Sequence, residues 1–159
     1  MLSGFLISRR LALKIHGQAA LIVIGVLEDE VEAQDTGVPI MVGAAERHER
    51  ILELVESARA AAVPVVFVQE AHKRRPGDVG RELVGALTDV GVHRTFADAH
   101  QHDYHCRVVD DCVGGSSQAA SDAALHAMVC LQRDCRVDST EVLAAFAAMR
   151  AIAAGRSEP

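Results

Sequence analysis

Tryptophan is absent and tyrosine occurs once, so aromatic residues make up only 3% of the 159-residue chain. A core built from this sequence must be packed by aliphatic side chains, and there is no row of rings on which nucleic-acid bases could stack. Positive charge is also short: 16 Lys and Arg stand against 22 Asp and Glu, a net charge of −6. Such a domain repels phosphate backbones, and its one basic cluster, Lys73-Arg74-Arg75, is short enough to read as a solvated loop. No nucleic-acid partner is expected. No apolar run reaches the ~18–20 residues of a membrane span, so no membrane partner is expected either. The four cysteines, Cys106, Cys112, Cys130 and Cys135, form no C-x-x-C pair and fit no zinc spacing. They fit a reduced, cytoplasmic protein, with a disulfide left open. Nothing in the pattern asks for a metal or a cofactor.

Half of the residues are hydrophobic, mostly Ala, Val and Leu, which suits one folded domain with a single core. Ser8-Arg9-Arg10-Leu11-Ala12-Leu13-Lys14 has the look of a twin-arginine export signal, because the apolar run Ala19 to Leu27 follows it. The simpler reading makes that run the first core strand. It is short, has no A-x-A cleavage site and begins a repeating strand–helix pattern. The expected organisation is an N-terminal extension over 1–17, one domain over 18–155 and a polar tail over 156–159.

Ala20-Leu21-Ile22-Val23-Ile24 is a continuous apolar, β-branched run, as in a strand buried on both faces of a parallel sheet. A polar loop from Glu28 to Pro39 separates it from a helix over 44–62. That helix places Ile51, Leu54, Val55 and Ala58 on one face and charge on the other. Pro64 to Val68 reads as the second strand. After a loop over 72–81, a weak third strand is expected at 82–87, a helix over 92–105, and a strand at 106–110. Gly114-Gly115-Ser116-Ser117 forms a turn that caps a helix over 118–132, with Ala124, Leu125, Met128 and Leu131 on one side. Arg136-Val137 is a short last strand, and Asp138 or Ser139 caps a final helix that ends near Ala154-Gly155. Alternating strands and helices predict a doubly wound α/β, three-layer sandwich on a mostly parallel sheet. Ligands of such folds bind beyond the carboxyl ends of the strands: here just after Ile24, just after Val68, and around Thr88 to Val92.

Those places carry a resemblance. ALIVIGVLEDE at 20–30, VPVVFVQEAH at 63–72, ALTDVGVH at 86–93 and TFADAHQHDYHCRVVDDCVGGSS at 95–117 resemble, in order and spacing, the isochorismatase-like cysteine hydrolases. Asp122 to Met128 continues the likeness, which covers most of residues 18–145. The resemblance implies the isochorismatase-like hydrolase fold, shortened, and hydrolysis of small amides, with a small amide-like molecule as ligand. In the family a cysteine thiolate attacks the carbonyl while an aspartate and a lysine assist. A helix N-terminus and a nearby cation favour the thiolate, a carboxylate shuttles the proton, and backbone N–H groups hold the oxyanion. Family members are usually oligomers, so a homodimer is expected.

The departures fall on the chemistry. The family aspartate aligns with Gly25 and the family cysteine with Gly91. The interval Lys73 to Leu87 is shorter than the family's, and its single lysine, Lys73, sits early for the catalytic position. The chain therefore reads as a degenerate, shortened member, inactive or repurposed for binding or assembly. Loss of a segment between strands could expose a sheet edge and favour association. The alternative is an active hydrolase of small amides that uses displaced residues. Its candidate pocket is Asp29, Lys73, Thr88, Asp89 and Cys112. Each has an ordinary reading beside the functional one. Asp29 caps a loop, Thr88 and Asp89 cap the following helix, and Cys112 is a small buried hydrophobe. Ser116-Ser117 could hold an anion but is explained by capping. His93, His100, His102 and His105 are close in sequence without a ligand spacing and read as a solvated surface.

Overall fold

The computed structural model describes residues 13, 15, 18–25, 44–68 and 88–155. The expected loops at 28–39 and 72–81, the third strand at 82–87, the export-like stretch at 8–14 apart from Leu13, and the tail at 156–159 lie outside the described residues.

The aliphatic run at 20–24 forms strand β1, Leu21–Ile24, and the run at 64–68 forms β2, Val65–Val68. They pair in parallel, with Leu21 opposite Val65 and Ile24 opposite Val68. Helix α1, Ala44–Ala60, connects them in sequence and buries Leu54, Val55 and Ala58, as its periodicity predicts. A π-helical turn, Thr88–Val92, leads into α2, His93–Gln101. Strand β3, Val108–Val109, runs into a 3-10 turn, Asp110–Cys112, and then comes α3, Gln118–Leu131. Strand β4, Arg136–Val137, pairs in parallel with β3, and α4, Ser139–Gly155, closes the order.

Two core clusters flank β3. Val108 belongs to one, with Phe96 of α2 and Ala124, Leu125 and Met128 of α3. The adjacent Val109 packs against the other, with Leu54 and Ala58 of α1, Val137 of β4, and Val142 and Phe146 of α4. Successive residues of a strand point to opposite faces, so this two-residue strand separates two helical layers. The expectation of one continuous sheet is corrected, however. Among the described residues the strands form two separate pairs, β1–β2 and β3–β4. Strands of two residues offer few ladder hydrogen bonds, and the strand expected between the pairs, at 82–87, is not among the described residues. Among the described residues the fold is α/β, with helices packed on two short parallel strand pairs.

Two boundaries and one buried position also differ from expectation. Helix α2 ends at Gln101, not at 105. Asp103 takes a left-handed backbone (φ 63°), and the Asp103 and Tyr104 N–H groups donate to the His100 and Ala99 carbonyls. This is a Schellman stop with aspartate where glycine is usual. The strand expected over 106–110 is reduced to Val108–Val109, because Cys106 bonds the Gln132 side chain on both sides. Its N–H donates to Gln132 Oε1 at 3.1 Å and its carbonyl accepts from Gln132 Nε2 at 2.7 Å. Leu131, expected on the buried side of α3, is 46% exposed, and Ser121 is buried instead.

Candidate functional site

The turn at Thr88–Val92 lies where the first and third expected ligand places meet. Gly91 sits against the end of β1: a Cβ built on it would come 3.3 Å from Ile24 Cγ2. Gly25 follows Ile24, donates its N–H to the Val68 carbonyl at 2.8 Å, and then turns left-handed with φ 62°. Glycine takes that conformation without the steric strain a side chain would add. The carboxyl ends of β1 and β2 and the turn before α2 are thus neighbours, and Gly25 and Gly91 sit within one small region, both without side chains.

On its other side this turn is tied to the segment after β3. Thr88 N–H donates to the Gly114 carbonyl at 2.9 Å. Asp89 Oδ1 accepts the Ser116 N–H at 2.9 Å and Asp89 Oδ2 accepts the Ser116 hydroxyl at 2.7 Å. Gly115 makes the approach possible, since a Cβ there would stand 2.8 Å from Asp89 Oδ1 and 2.9 Å from the Ser121 backbone nitrogen. Burial pulls the Asp89 pKa up, but the Ser116 side-chain and backbone donors outweigh it and hold the carboxylate below its usual range. The expectation that Thr88 or Asp89 caps α2 is therefore corrected: Val92 occupies the cap position, with no side-chain cap. Asp89 instead takes a partner 27 residues away because Ser116 offers both a backbone and a hydroxyl donor. Thr88 is fully buried, and its hydroxyl has no hydrogen-bond partner among the described residues.

A second junction repeats this geometry. Asp111 Oδ1 accepts the Ser139 N–H at 2.9 Å and Asp111 Oδ2 accepts its hydroxyl at 2.6 Å. Arg50 of α1 joins from the other side, with Nε donating to the Asp111 carbonyl at 3.1 Å. In both junctions an aspartate holds the serine that begins or precedes the next helix. Ser117 caps α3 by accepting the Ala120 N–H, as expected of the Gly-Gly-Ser-Ser turn. Asp138 caps α4 by accepting the Glu141 N–H at 2.9 Å, while Glu141 Oε2 accepts the Asp138 N–H at 3.0 Å. That is a reciprocal capping box.

Cys112 stands apart from Thr88 and Asp89. It packs against the core cluster of α1, β4 and α4. Burial, followed by the neighbouring Asp111 carboxylate, pushes its thiol up to about 12, with Arg50 opposing. Burial likewise raises the Cys106 and Cys135 thiols, and all four cysteines are free. Asp29 and Lys73 lie outside the described residues. Of the pocket expected from sequence, Thr88 and Asp89 lie together in the turn that also carries Gly91, and Cys112 lies in a separate core.

Sequence reasoning passed over Arg50 and Asp111, the bond of Asp111 to Ser139, which it read only as a possible helix cap, and the Arg136–Asp110 ion pair. Asp110, Asp111, Arg136, Val137 and Asp138 line a shallow, open groove at the ends of β3 and β4. The signal was an aspartate with a serine 27 or 28 positions later at or just before a helix start. The histidines do not converge: His100 stacks on Phe96, and His105 faces Asp134 at 3.4 Å. Among the described residues, no group of three or more His, Cys, Asp or Glu could hold a metal ion.

With this geometry in hand, comparison with known families adds one finding: residues 80–142 match the family model described as the Isochorismatase domain. That stretch is isochorismatase-like. It contains the Thr88–Val92 turn, Gly91, both aspartate–serine junctions and the capping box of α4, so the match covers the second half of the site region. Gly25 and β1 fall outside it. No curated protein and no solved structure matches the chain. No helix among the described residues is long and apolar enough to cross a membrane.

Proposed function

We propose that this isochorismatase-like chain does not hydrolyse amides through a cysteine, and that its fold serves a binding or assembly role. The observation that carries the reading is Gly91. It occupies the turn at the end of β1, where the family's nucleophile would stand, and offers no atom that can attack a carbonyl. Gly25, on the neighbouring strand end, offers no proton shuttle. Cys112, the cysteine expected from the sequence as a displaced nucleophile, is no substitute. With its thiol at about 12, roughly one in 10^5 is ionised at pH 7, and the thiolate is the nucleophilic form. Asp89 is occupied by Ser116 through both oxygens.

The test combines two measurements on the full chain. Ammonia release from a panel of small primary amides is expected to equal the spontaneous rate. In pH-dependent alkylation followed by mass spectrometry, Cys112 and Cys135 are expected to label slowly when folded and normally when denatured, while exposed Cys130 labels at an ordinary thiol rate. Ammonia release that vanishes in Cys112→Ser, Asp29→Ala or Lys73→Ala overturns the proposal and restores the active-hydrolase alternative. Rapid labelling of Cys112 near neutral pH overturns it as well.

A further inference from the structure

Helix α3 carries a row of polar side chains that neither the core nor the turn at Thr88–Val92 uses. Gln118, Asp122, His126 and Cys130 follow one another at four-residue intervals and are all exposed, so they line one ridge of the helix. Gln118 Nε2 donates to Asp122 Oδ1 at 2.9 Å, which occupies the N-terminal half of the row. In the C-terminal half, Cys130 Sγ lies 3.8 Å from His126 Nε2.

That separation has a chemical meaning. A tetrahedral zinc ion with Zn–S near 2.3 Å and Zn–N near 2.0–2.1 Å holds its sulfur and nitrogen about 3.6 Å apart. The two donors thus already stand at the bite a soft divalent cation needs, on the surface of a regular helix that fixes their spacing. Thiolate and imidazole select zinc-like ions over calcium or magnesium, which take oxygen donors. One chain supplies two donors, and no third His, Cys, Asp or Glu joins them among the described residues. A second copy related by a two-fold axis would supply the same pair, giving two thiolates and two imidazoles. The two thiolate charges balance the ion, and the coordination shell is closed.

We propose that His126 and Cys130 form a half-site for a zinc-like divalent cation, completed by the same pair from a second copy of the chain. Co2+ titration of the full-length protein tests it, read by thiolate-to-cobalt charge-transfer and tetrahedral d–d absorption, with sedimentation velocity on the same samples plus and minus Zn2+. The expected result is one ion per two chains and a doubling of mass on adding metal. Both are lost in Cys130→Ser and in His126→Ala, and both are kept in Cys106→Ser. Circular dichroism confirms that the variants, altered only at exposed positions of α3, remain folded. Charge-transfer absorption that persists in Cys130→Ser overturns the site. Binding at one ion per chain with no change in mass overturns the two-copy completion.

Discussion

At the scale of single residues, Asp89 and Ser116 illustrate how a short polar side chain serves a distant partner when that partner offers two donors. The carboxylate is held below its ordinary pKa by those donors against the opposing effect of burial. A depressed carboxylate pKa stabilises the folded state above the unfolded pKa, and this contribution disappears as the pH falls through the folded value. Asp89→Asn should therefore lower stability near neutral pH and flatten the loss of stability below about pH 4, the ordinary carboxylate range. Thermal unfolding midpoints of the two proteins between pH 2 and 7 should converge at the acid end. Equal slopes throughout would show that Asp89 does not contribute to the acid response. Ser116 and Asp89 were each visible as residues of interest, but their pairing across 27 positions was not, since local cap patterns explain both equally well.

At the scale of elements, the helix ends show how local bonding sets boundaries. Helix α1 closes with a Schellman stop in which Ala62 has φ 55°, the Ala62 N–H donates to the Arg59 carbonyl, and the Val63 N–H donates to the Ala58 carbonyl at 2.9 Å. Val63 and Ala58 are both buried, which supplies the hydrophobic contact that accompanies this motif. Alanine in the left-handed region carries a Cβ penalty of roughly 1–2 kcal/mol, partly offset by the smaller entropy of its unfolded chain. Ala62→Gly is expected to raise stability by about 0.5–1 kcal/mol, measurable by urea denaturation with an unchanged m-value. A loss of stability would show that the surrounding packing, not φ, governs this position. The end of α2 was missed for the same reason: in sequence, Asp103 is one polar residue in a run of helix-compatible ones, and only its left-handed conformation marks the stop.

At the scale of the whole molecule, β3 and β4 carry the design. Val108 faces the cluster of α2 and α3, while Val109 and Val137 face that of α1 and α4, so the two cores share a thin strand layer and little else. Phe96 and Phe146 each belong to one cluster and are 5% and 3% exposed. Phe96→Leu and Phe146→Leu should each cost about 1 kcal/mol, and the double variant should lose their sum to within about 0.5 kcal/mol. A coupling well beyond that in the denaturation free energies would mean that the two cores are one cooperative unit through β3. The β1–β2 pair is less enclosed: Ile22, Val66 and Val68 share a face and are 40–46% exposed.

The sequence by itself determined every element whose signal is local. Aliphatic runs of four or five residues made β1 and β2, 3.6-residue periodicity made α1 and α3, and Ser117 and Asp138 capped their helices where expected. It also determined that positions 25 and 91 bear no side chain, and no fold can alter that. Tertiary structure alone decided which distant groups meet. Gly91 came to rest against Ile24, Asp89 turned to Ser116 and Asp111 to Ser139. Gln132 took over the backbone pairing of Cys106, and Cys112 entered a core where burial, and then the Asp111 carboxylate, raise its thiol pKa. The division has a physical cause. Periodicity and capping are settled within one or two helical turns, whereas hydrogen-bond partners and thiol ionisation depend on groups that only the packed chain brings within a few ångströms.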